Sequence, residues 1–429
     1  MLRSRIKTAG VAVVLLLFQQ MLVFAAPVQL SLEESIDVAL KNNPTIRIAD
    51  EDKGRSQWGV SEAKGGKLPS VSLGSSYNLK AGESVGQNDI NTSLRANWQL
   101  YSGGRTEAQI AQAELGVTTT ELNLTKAKQQ VKLDTATAYY SVLQTGQLLA
   151  VSQATVDNLK THQKIVQAKY EAGSVAKSDT LRADVELANA EQNLIKAQNQ
   201  RDLAVANLLN TMNMDADTEL ELESKLEYQA DTRTLEQAIT AAKANRPDLA
   251  QARVSIDSAE KGVQIAQSAK LPSVSLSAST DVNDALLSGD NNWSVGVSAN
   301  WNIFDAGVTK AKIHQADSSL KKVKLQAEQT ADTVEQEIRQ SFLSMKEAEK
   351  RLQTTEVATG KAKEDLYIAQ EKYNAGTGTN LDVIDAQLAF TQAETNHVQA
   401  LYDYNVNKAK LDRAIGLPAE SAANTGGNQ

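Results

Sequence analysis

The sequence predicts a mostly α-helical chain with a small β part, built from two structural repeats. Three features lead to that expectation. Ala, Gln, Glu and Lys recur through long stretches, while aromatic residues make up only 4% and proline only 6 of the 429 residues. Such a mixture favours helix and leaves few ring side chains to fill a thick core. The segment Lys67-Leu68-Pro69-Ser70-Val71-Ser72-Leu73 recurs unchanged at Lys270-Leu271-Pro272-Ser273-Val274-Ser275-Leu276, a separation of 270 − 67 = 203 residues. After each Leu-Pro the apolar spacing changes from helical to strictly alternating, the signature of a strand.

The offset of 203 holds over most of the chain. It carries Leu32-Glu33 onto Leu235-Glu236, Asn42 and Pro44 onto Asn245 and Pro247, and Asn97-Trp98 onto Asn300-Trp301. Further on it carries Gly104 onto Gly307, Lys169-Tyr170 onto Lys372-Tyr373, Gly173 onto Gly376 and Asp179 onto Asp382. One supersecondary unit is therefore written twice. Each copy reads as short helix, medium helix, strand, loop, strand, very long helix, sharp turn and a further long helix. The first repeat is expected over residues 26–210 and the second over 233–418. A linker at 211–232 contains Asp215, Asp217 and Thr218, and a small, polar tail at 419–429 is expected to be disordered.

Residues 1–25 have the form of a secretory signal. Arg3, Arg5 and Lys7 precede an apolar run from Val11 to Phe24, and Val23-Phe24-Ala25 supplies a small-residue cleavage site. The run is about 14 residues and is interrupted by Gln19 and Gln20, whereas a spanning helix needs roughly 20. Removing those three cations from the 44 basic residues leaves 41 against 52 acidic ones, a net charge of −11. An acidic exported chain is not expected to bind nucleic acid. With no cysteine there is no disulfide, thiolate metal site or Cys nucleophile, and His162, His314 and His397 have no ligand spacing. Gly103-Gly104 lacks the Lys-Ser/Thr of a phosphate loop, and no nucleophile elbow is present. No cofactor, metal or enzymatic activity is expected.

Helices are predicted at about 31–42 and 45–67, and Pro69 stops the second one because it lacks a donor and disfavours helix before it. Hairpins follow at about 70–101 and 273–304. Val71, Leu73, Tyr77 and Leu79 share one face of the first strand, and Ile90, Leu94, Ala96, Trp98 and Leu100 that of its partner. In the second copy Val274, Leu276 and Ala278 face the same way as Trp293, Val295, Val297, Ala299, Trp301 and Ile303. Strands of about 11 residues match the roughly 9–11 that cross a bilayer when tilted. Trp98, Tyr101 and Trp301 lie toward one end, where an interfacial aromatic girdle and outer-membrane lipid would meet them. An amphipathic hairpin packed on helices shows the same alternation. If these strands do enter lipid, four cannot close a barrel, and an open edge would leave backbone groups unpaired. Two copies would give eight strands and three would give twelve.

From Arg105 to Glu171 there is no proline and no turn cluster, which predicts about 100 Å of uninterrupted helix. Its apolar positions Val131, Ala138, Val142 and Leu149 correspond to Val334, Ser341, Met345 and Leu352, narrow stripes suited to close helix–helix seams. The long helices reverse at about 172–178 and 374–379. Gly173-Ser174 and Gly376-Thr377 form those tips, with Ser178 or Asp179, and Thr379 or Asn380, placed to start the following helices. A long soluble coiled coil, such as a periplasmic adaptor or scaffold that never spans the membrane, shares these helical features but has no use for bilayer-length strands.

Taken in order, these residues resemble the TolC-like outer membrane factor family over 30–418. The resemblance rests on the duplicated Leu-Pro-Ser-Val-Ser-Leu, on Tyr101-Ser102-Gly103-Gly104, and on Thr135-Ala136-Thr137-Ala138-Tyr139-Tyr140. It also rests on the tips, Tyr170 to Asp179 and Tyr373-Asn374-Ala375-Gly376 through Asp382-Val383-Ile384-Asp385-Ala386. It implies a homotrimer with a twelve-stranded β-barrel in the outer membrane, continued by a periplasmic α-helical barrel. It further implies docking of the helical tips, Gly173, Ser174, Gly376 and Thr377, to a periplasmic adaptor and inner-membrane transporter, for efflux or type I secretion. Asp382 and Asp385 match the family's pore constriction, with Asp179, Tyr373 and Lys177 near the closing contacts of the entrance. Three copies of each aspartate would attract cations and repel anions. Alternatively, carboxylates in a first helical turn complement the macrodipole by about 0.3–1 kcal/mol without any pore role. Asp382 has a twin in Asp179, as capping predicts, whereas Asp385 corresponds to Arg182. The family carries an Arg where this chain has Gly378, so either Lys177 of the neighbouring tip is expected to substitute for that tie in part, or the entrance is expected to open more readily.

Overall fold

A computed structural model describes residues 28–78, 89–283 and 292–419. The expected leader at 1–25, Leu79, the two hairpin loops and all but the first residue of the expected tail lie outside the described residues.

Each repeat opens with two helices, both of them capped by a side chain in the first repeat. Helix α1 (Leu32–Asn42) starts in a capping box in which Ser31 and Glu34 satisfy each other's backbone N–H. Asn43 then caps α2 (Pro44–Gly65), accepting from Thr45 N at 2.8 Å, with Pro44 at the first helical position, where its missing N–H costs nothing. A short strand β1 (Val28–Leu30) precedes them. The hairpin β2 (Ser70–Asn78) and β3 (Asp89–Tyr101) leads into α3 (Arg105–Glu171), and α4 (Lys177–Met212) runs back antiparallel. After β4 (Leu220–Leu222) the order repeats as α5 (Leu235–Asn245), α6 (Pro247–Ser268), β5 (Ser273–Asn283), β6 (Asn292–Asn300), α7 (Val308–Asn374) and α8 (Asn380–Ile415). Helices α3 and α7 both have 67 residues, and α4 and α8 both have 36.

The six longer helices lie side by side. Between the sheet and the middle of the long helices the lateral order is α2-α3-α6-α7, and beyond the middle it is α4-α3-α8-α7. Two apolar clusters mark the waist. Tyr139, Leu208, Leu209 and Met212 pack with Leu30 and Ala39 in one, and Ile338, Met345, Tyr404, Leu411 and Ile415 pack in the other. Here β1 pairs parallel with β4, and the Tyr139 hydroxyl donates to Leu30 O at 3.2 Å. The linker is stitched down by Tyr404, whose hydroxyl donates to Gln229 O at 2.7 Å and accepts from Asp231 N at 3.1 Å. Arg233 bridges Asp231 and Asp412, and buried Arg246 joins Asp248, Glu337 and the carbonyl of Ala414. Along α4, Ala183, Ala190, Ala197 and Ala204 are all buried at a seven-residue spacing, so small side chains let α4 approach α3 closely.

One expected boundary moves. The second hairpin was expected to continue to 304, but β6 ends at Asn300 while its counterpart β3 runs to Tyr101. Strand β3 has neighbours on both sides, whereas β6 lies at the edge of the sheet, so residues 301–304 find no ladder partner within one chain. Among the described residues no helix is long and apolar enough to cross a membrane.

The step from β3 into α3 turns on two glycines with positive φ. A Cβ at Gly103 would lie 2.7 Å from Ser268 O and 3.0 Å from Leu271 Cβ, whereas one at Gly104 would meet nothing within 4 Å. Gly104→Ala is therefore expected to cost about 1–2 kcal/mol from left-handed backbone strain alone. Gly103→Ala is expected to cost clearly more, because it also pushes α6 away. Denaturant melts of the two variants check that order.

Candidate functional site

The site has two ends, a two-faced sheet and a cluster at the helical tips. The sheet order is β2-β3-β5-β6, antiparallel throughout, so β2 and β6 are both unpaired on their outer sides. Residues directly opposite in such a ladder share a face. The registers Leu73↔Leu94, Leu94↔Thr280 and Thr280↔Trp293, with Val71↔Ala96, Ala96↔Ala278 and Ala278↔Val295, place the apolar side chains together. That face is open in one chain, with Leu73 74% and Val297 68% exposed. The other face carries Ser72, Arg95, Ser279 and Ser294 in one row, with hydroxyl pairs Ser275–Ser298 at 2.8 Å and Ser279–Ser294 at 2.9 Å.

A bulge changes the reading of Tyr101. Strict alternation puts it on the polar face, but the register steps from Gln99↔Ser275 to Tyr101↔Val274, leaving Leu100 as the extra residue. Tyr101 thereby joins the apolar face beside Trp98. The indole N–H of Trp98 donates to Lys67 O at 2.8 Å, and that of Trp301 donates to Lys270 O at 3.0 Å, so both repeats pin an aromatic at the helical end of the sheet. Tyr77 and Trp293 stand at the opposite end, 57% and 75% exposed. Trp293 and Trp301 are about 26 Å apart along extended chain at about 3.3 Å per residue. The second aromatic row did not stand out in the sequence because its members differ between the repeats.

At the tips the two turns are built alike. Gly173 and Gly376 adopt positive φ, and Ser174 N and Thr377 N donate to Lys169 O and Lys372 O at 2.8 and 2.9 Å. Gly378 is forced by close approach, since a Cβ there would lie 3.0 Å from Lys372 Cβ and 3.2 Å from Tyr373 N. Asp382 is engaged in a capping box: its carboxylate accepts from Thr379 N at 2.8 Å, and Thr379 Oγ1 accepts from Asp382 N at 3.2 Å. These bonds hold its carboxyl below the usual aspartate range. Asp179 accepts in the same way from Ala176 N at 3.3 Å. Asp385 is exposed and makes no hydrogen bond or ion pair with the described residues, so its charge is free to face solvent.

Between the hairpins lies a contact that sequence reading missed. His162 of α3 is buried, its Nε2 2.7 Å from Asn380 Oδ1 of α8, with its ring 5.1 Å from that of Tyr373 on α7. The Asn380 amide nitrogen donates to Asp179 O at 3.1 Å, which turns Oδ1 toward His162 and fixes the Nε2–H tautomer. Lys169 donates to Tyr373 O, and its ammonium lies 4.3 Å from the centre of the Tyr373 ring. Lys177 lies instead over Tyr170 of its own hairpin, at 5.1 Å. Within one chain, then, Lys169 rather than Lys177 is the cation that reaches across. Burial lowers the His162 pKa from 6.5, opposed by its bond to Asn380 and assisted by the charge of Lys169. Burial likewise raises the Tyr373 phenol, with the Asp179 charge adding to it. Among the described residues no group of three His, Cys, Asp or Glu is arranged to hold a metal.

A family model described as "Outer membrane efflux protein" matches residues 35–213 and again 238–417, one match per repeat. The chain is 25% identical over 407 residues to the outer membrane protein TolC of Escherichia coli (strain K12), covering 87% of this chain and 80% of the relative. It is also 25% identical over 424 residues to the outer membrane efflux protein BepC of Brucella suis, covering 95% and 90%. Among solved structures, the open state of the Neisseria gonorrhoeae MtrE outer membrane channel superposes with a TM-score of 0.77 at 21% identity, covering 91% of this chain and 90% of that one. The outer membrane protein VceC of Vibrio cholerae gives 0.75 at 19% identity, covering 90% and 96%. At those identities the structures report the fold.

Because His162 is held neutral, its folded pKa lies below the 6.5 of the unfolded chain. A depressed pKa means that its contribution is fully present above about 6.5 and declines as pH falls toward the folded value. Amide exchange at Asn380 and Tyr373 is therefore expected to quicken as pH drops from 7 to 5, after correction for intrinsic rates. His162→Gln, which keeps a donor without the titration, is expected to remove that extra acceleration.

Proposed function

We propose, from the premise that the chain belongs to the outer membrane efflux protein family, that three copies share one twelve-stranded barrel in the outer membrane and continue it as a helical tunnel through the periplasm. The protein is an outer-membrane efflux channel subunit. It is the exit duct for cargo delivered by an inner-membrane transporter through a periplasmic adaptor that meets the tips at Gly173-Ser174 and Gly376-Thr377, in a tripartite pump or a type I secretion system. Family membership sets aside the rival reading of an adaptor that stays in the periplasm.

The observation that carries the shared barrel is the sheet itself. It has two unpaired edges, one continuous apolar face and one polar face of hydroxyls and amides with Arg95 and Asp281. Placed in lipid, each unpaired backbone group costs several kcal/mol, and only closure removes an edge. The aromatic rows at both ends of the apolar face suit the two membrane interfaces. At the other end of the duct, Asp382 and Asp385 form the constriction, with Asp179 and Tyr373 at its closing contacts and Lys177 at the rim.

The two aspartates divide the work differently, because Asp382 is spent on capping α8 while Asp385 has no other engagement. In planar bilayers the channel is expected to prefer cations. Asp385→Asn is expected to lower that preference without altering stability. Asp382→Asn is expected to weaken the start of α8 and so to loosen the entrance, with a smaller effect on ion preference. An ion preference untouched by Asp385→Asn contradicts the constriction assignment.

A further inference from the structure

We infer that each copy seats on the next in the register of its own internal duplication, so that Asp365 of one copy pairs with Lys177 of the next and Glu347 pairs with Lys196. The inference rests on the shared-barrel reading above and names the contacts that would join its parts.

The two repeats of one chain lie side by side. Repeat 1 meets repeat 2 through α3, which touches α8 toward the tips and α6 toward the sheet. Among the described residues, two flanks have no further long helix beside them: α7 on one side, and α2 with α4 on the other. Adding 203 to a residue of α3 gives its counterpart on α7, and subtracting 203 from a residue of α8 or α6 gives its counterpart on α4 or α2. The contact inside the chain is thus a template for the contact between copies, and a head-to-tail contact that repeats itself can close into a ring.

Among the described residues, three polar side-chain links join α3 to α8. Gln144 bonds Gln399 at 2.7 Å, Thr155 bonds Thr391 at 3.0 Å, and His162 bonds Asn380 at 2.7 Å. Their counterparts are Glu347 with Lys196, Ala358 with Ala188, and Asp365 with Lys177. Both neutral pairs with long side chains become opposite charges, the acid on α7 and the base on α4 each time, and the hydroxyl pair becomes two alanines. Asp365, Lys177 and Lys196 are exposed in a single chain, and Glu347 makes only a local pair with Arg351. The Lys169–Tyr373 contact maps onto Lys372 and Tyr170, the same two residue types. Nearer the sheet, Gln251 and Lys261 of α6 map onto Ile48 and Trp58, which are 64% and 77% exposed. A flank with Ile48 and Trp58 nearer the sheet and Lys177 and Lys196 toward the tip fits a partner flank that presents Asp365 and Glu347, and a second copy supplies one. Charge pairs of fixed sense also choose the register and the side on which a copy docks.

The chain has no cysteine, so Asp365→Cys with Lys177→Cys can be tested directly in the assembled protein with a short bifunctional thiol reagent. A covalent ladder of copies on a denaturing gel is expected, and neither single variant should give it. Asp365→Cys with Val185→Cys moves the second thiol about 12 Å along α4, and the ladder should be lost. In parallel, Asp365→Lys should reduce the share of complex that survives mild detergent dissociation, and Asp365→Lys/Lys177→Asp should restore it. A displaced pair that links as well as the first, in protein that still assembles, overturns the register. Failure of the reversed pair to restore the complex overturns the ion pair, and protein that stays a single copy overturns the shared barrel itself.

Discussion

Backbone groups in lipid have no water to turn to, and that constraint organises the rest of this molecule. Inner strands β3 and β5 are paired on both sides, but the outer edges of β2 and β6 have nothing to bond within the chain. The apolar face formed by Val71, Leu73, Leu94, Val295 and Val297 can rest only against hydrocarbon or another protein, because no helix covers it. Shared among copies, as proposed, a sheet with a wet face, a greasy face and two open edges closes into a cylinder. Once the barrel is shared, the helices below must be shared as well, since α2 and α7 continue from those same edges.

The helical layer is held by two kinds of contact. Within the first hairpin the alanine series of α4 lets it pack closely on α3, and within the second Arg351–Asp403 and Arg413–Glu337 add ion pairs to the apolar seam. Between hairpins the α3–α8 seam carries Gln144–Gln399 and Thr155–Thr391, bonds that water can replace at little net cost. Toward the tip Val166, Ala183, Leu366, Tyr373 and Val383 form one cluster contributed by all four helices, with His162 and Asn380 buried beside it. Each hairpin packs along its whole length, and the tip cluster joins the two hairpins at that end.

Much of this was legible in the chain because its punctuation is strong. Gly104, Gly173, Gly307 and Gly376 bracket the two long helices, and Pro69 and Pro272 mark the change to strands. The stripe Val131, Ala138 and Val142 is buried as its spacing indicated, and so is Val334 with Met345. What could not be read depends on neighbours distant in sequence. Tyr101 changes face through a bulge that exists only opposite Ser275 and Val274. Strand β6 stops at Asn300, at the edge of the sheet, where no further strand of the described residues lies beside it. The meeting of His162 with Asn380 joins groups 218 residues apart, and no local pattern announces it.

Hydrogen exchange of the strand amides in the membrane-inserted protein addresses the closed cylinder most directly, because protection reports pairing. With the ends joined, β2 and β6 should exchange as slowly as β3 and β5, and protection should extend beyond Asn300 through residues 301–304. Fast exchange confined to β2 and β6, with β3 and β5 protected, would mean that the edges remain open and that no barrel is formed.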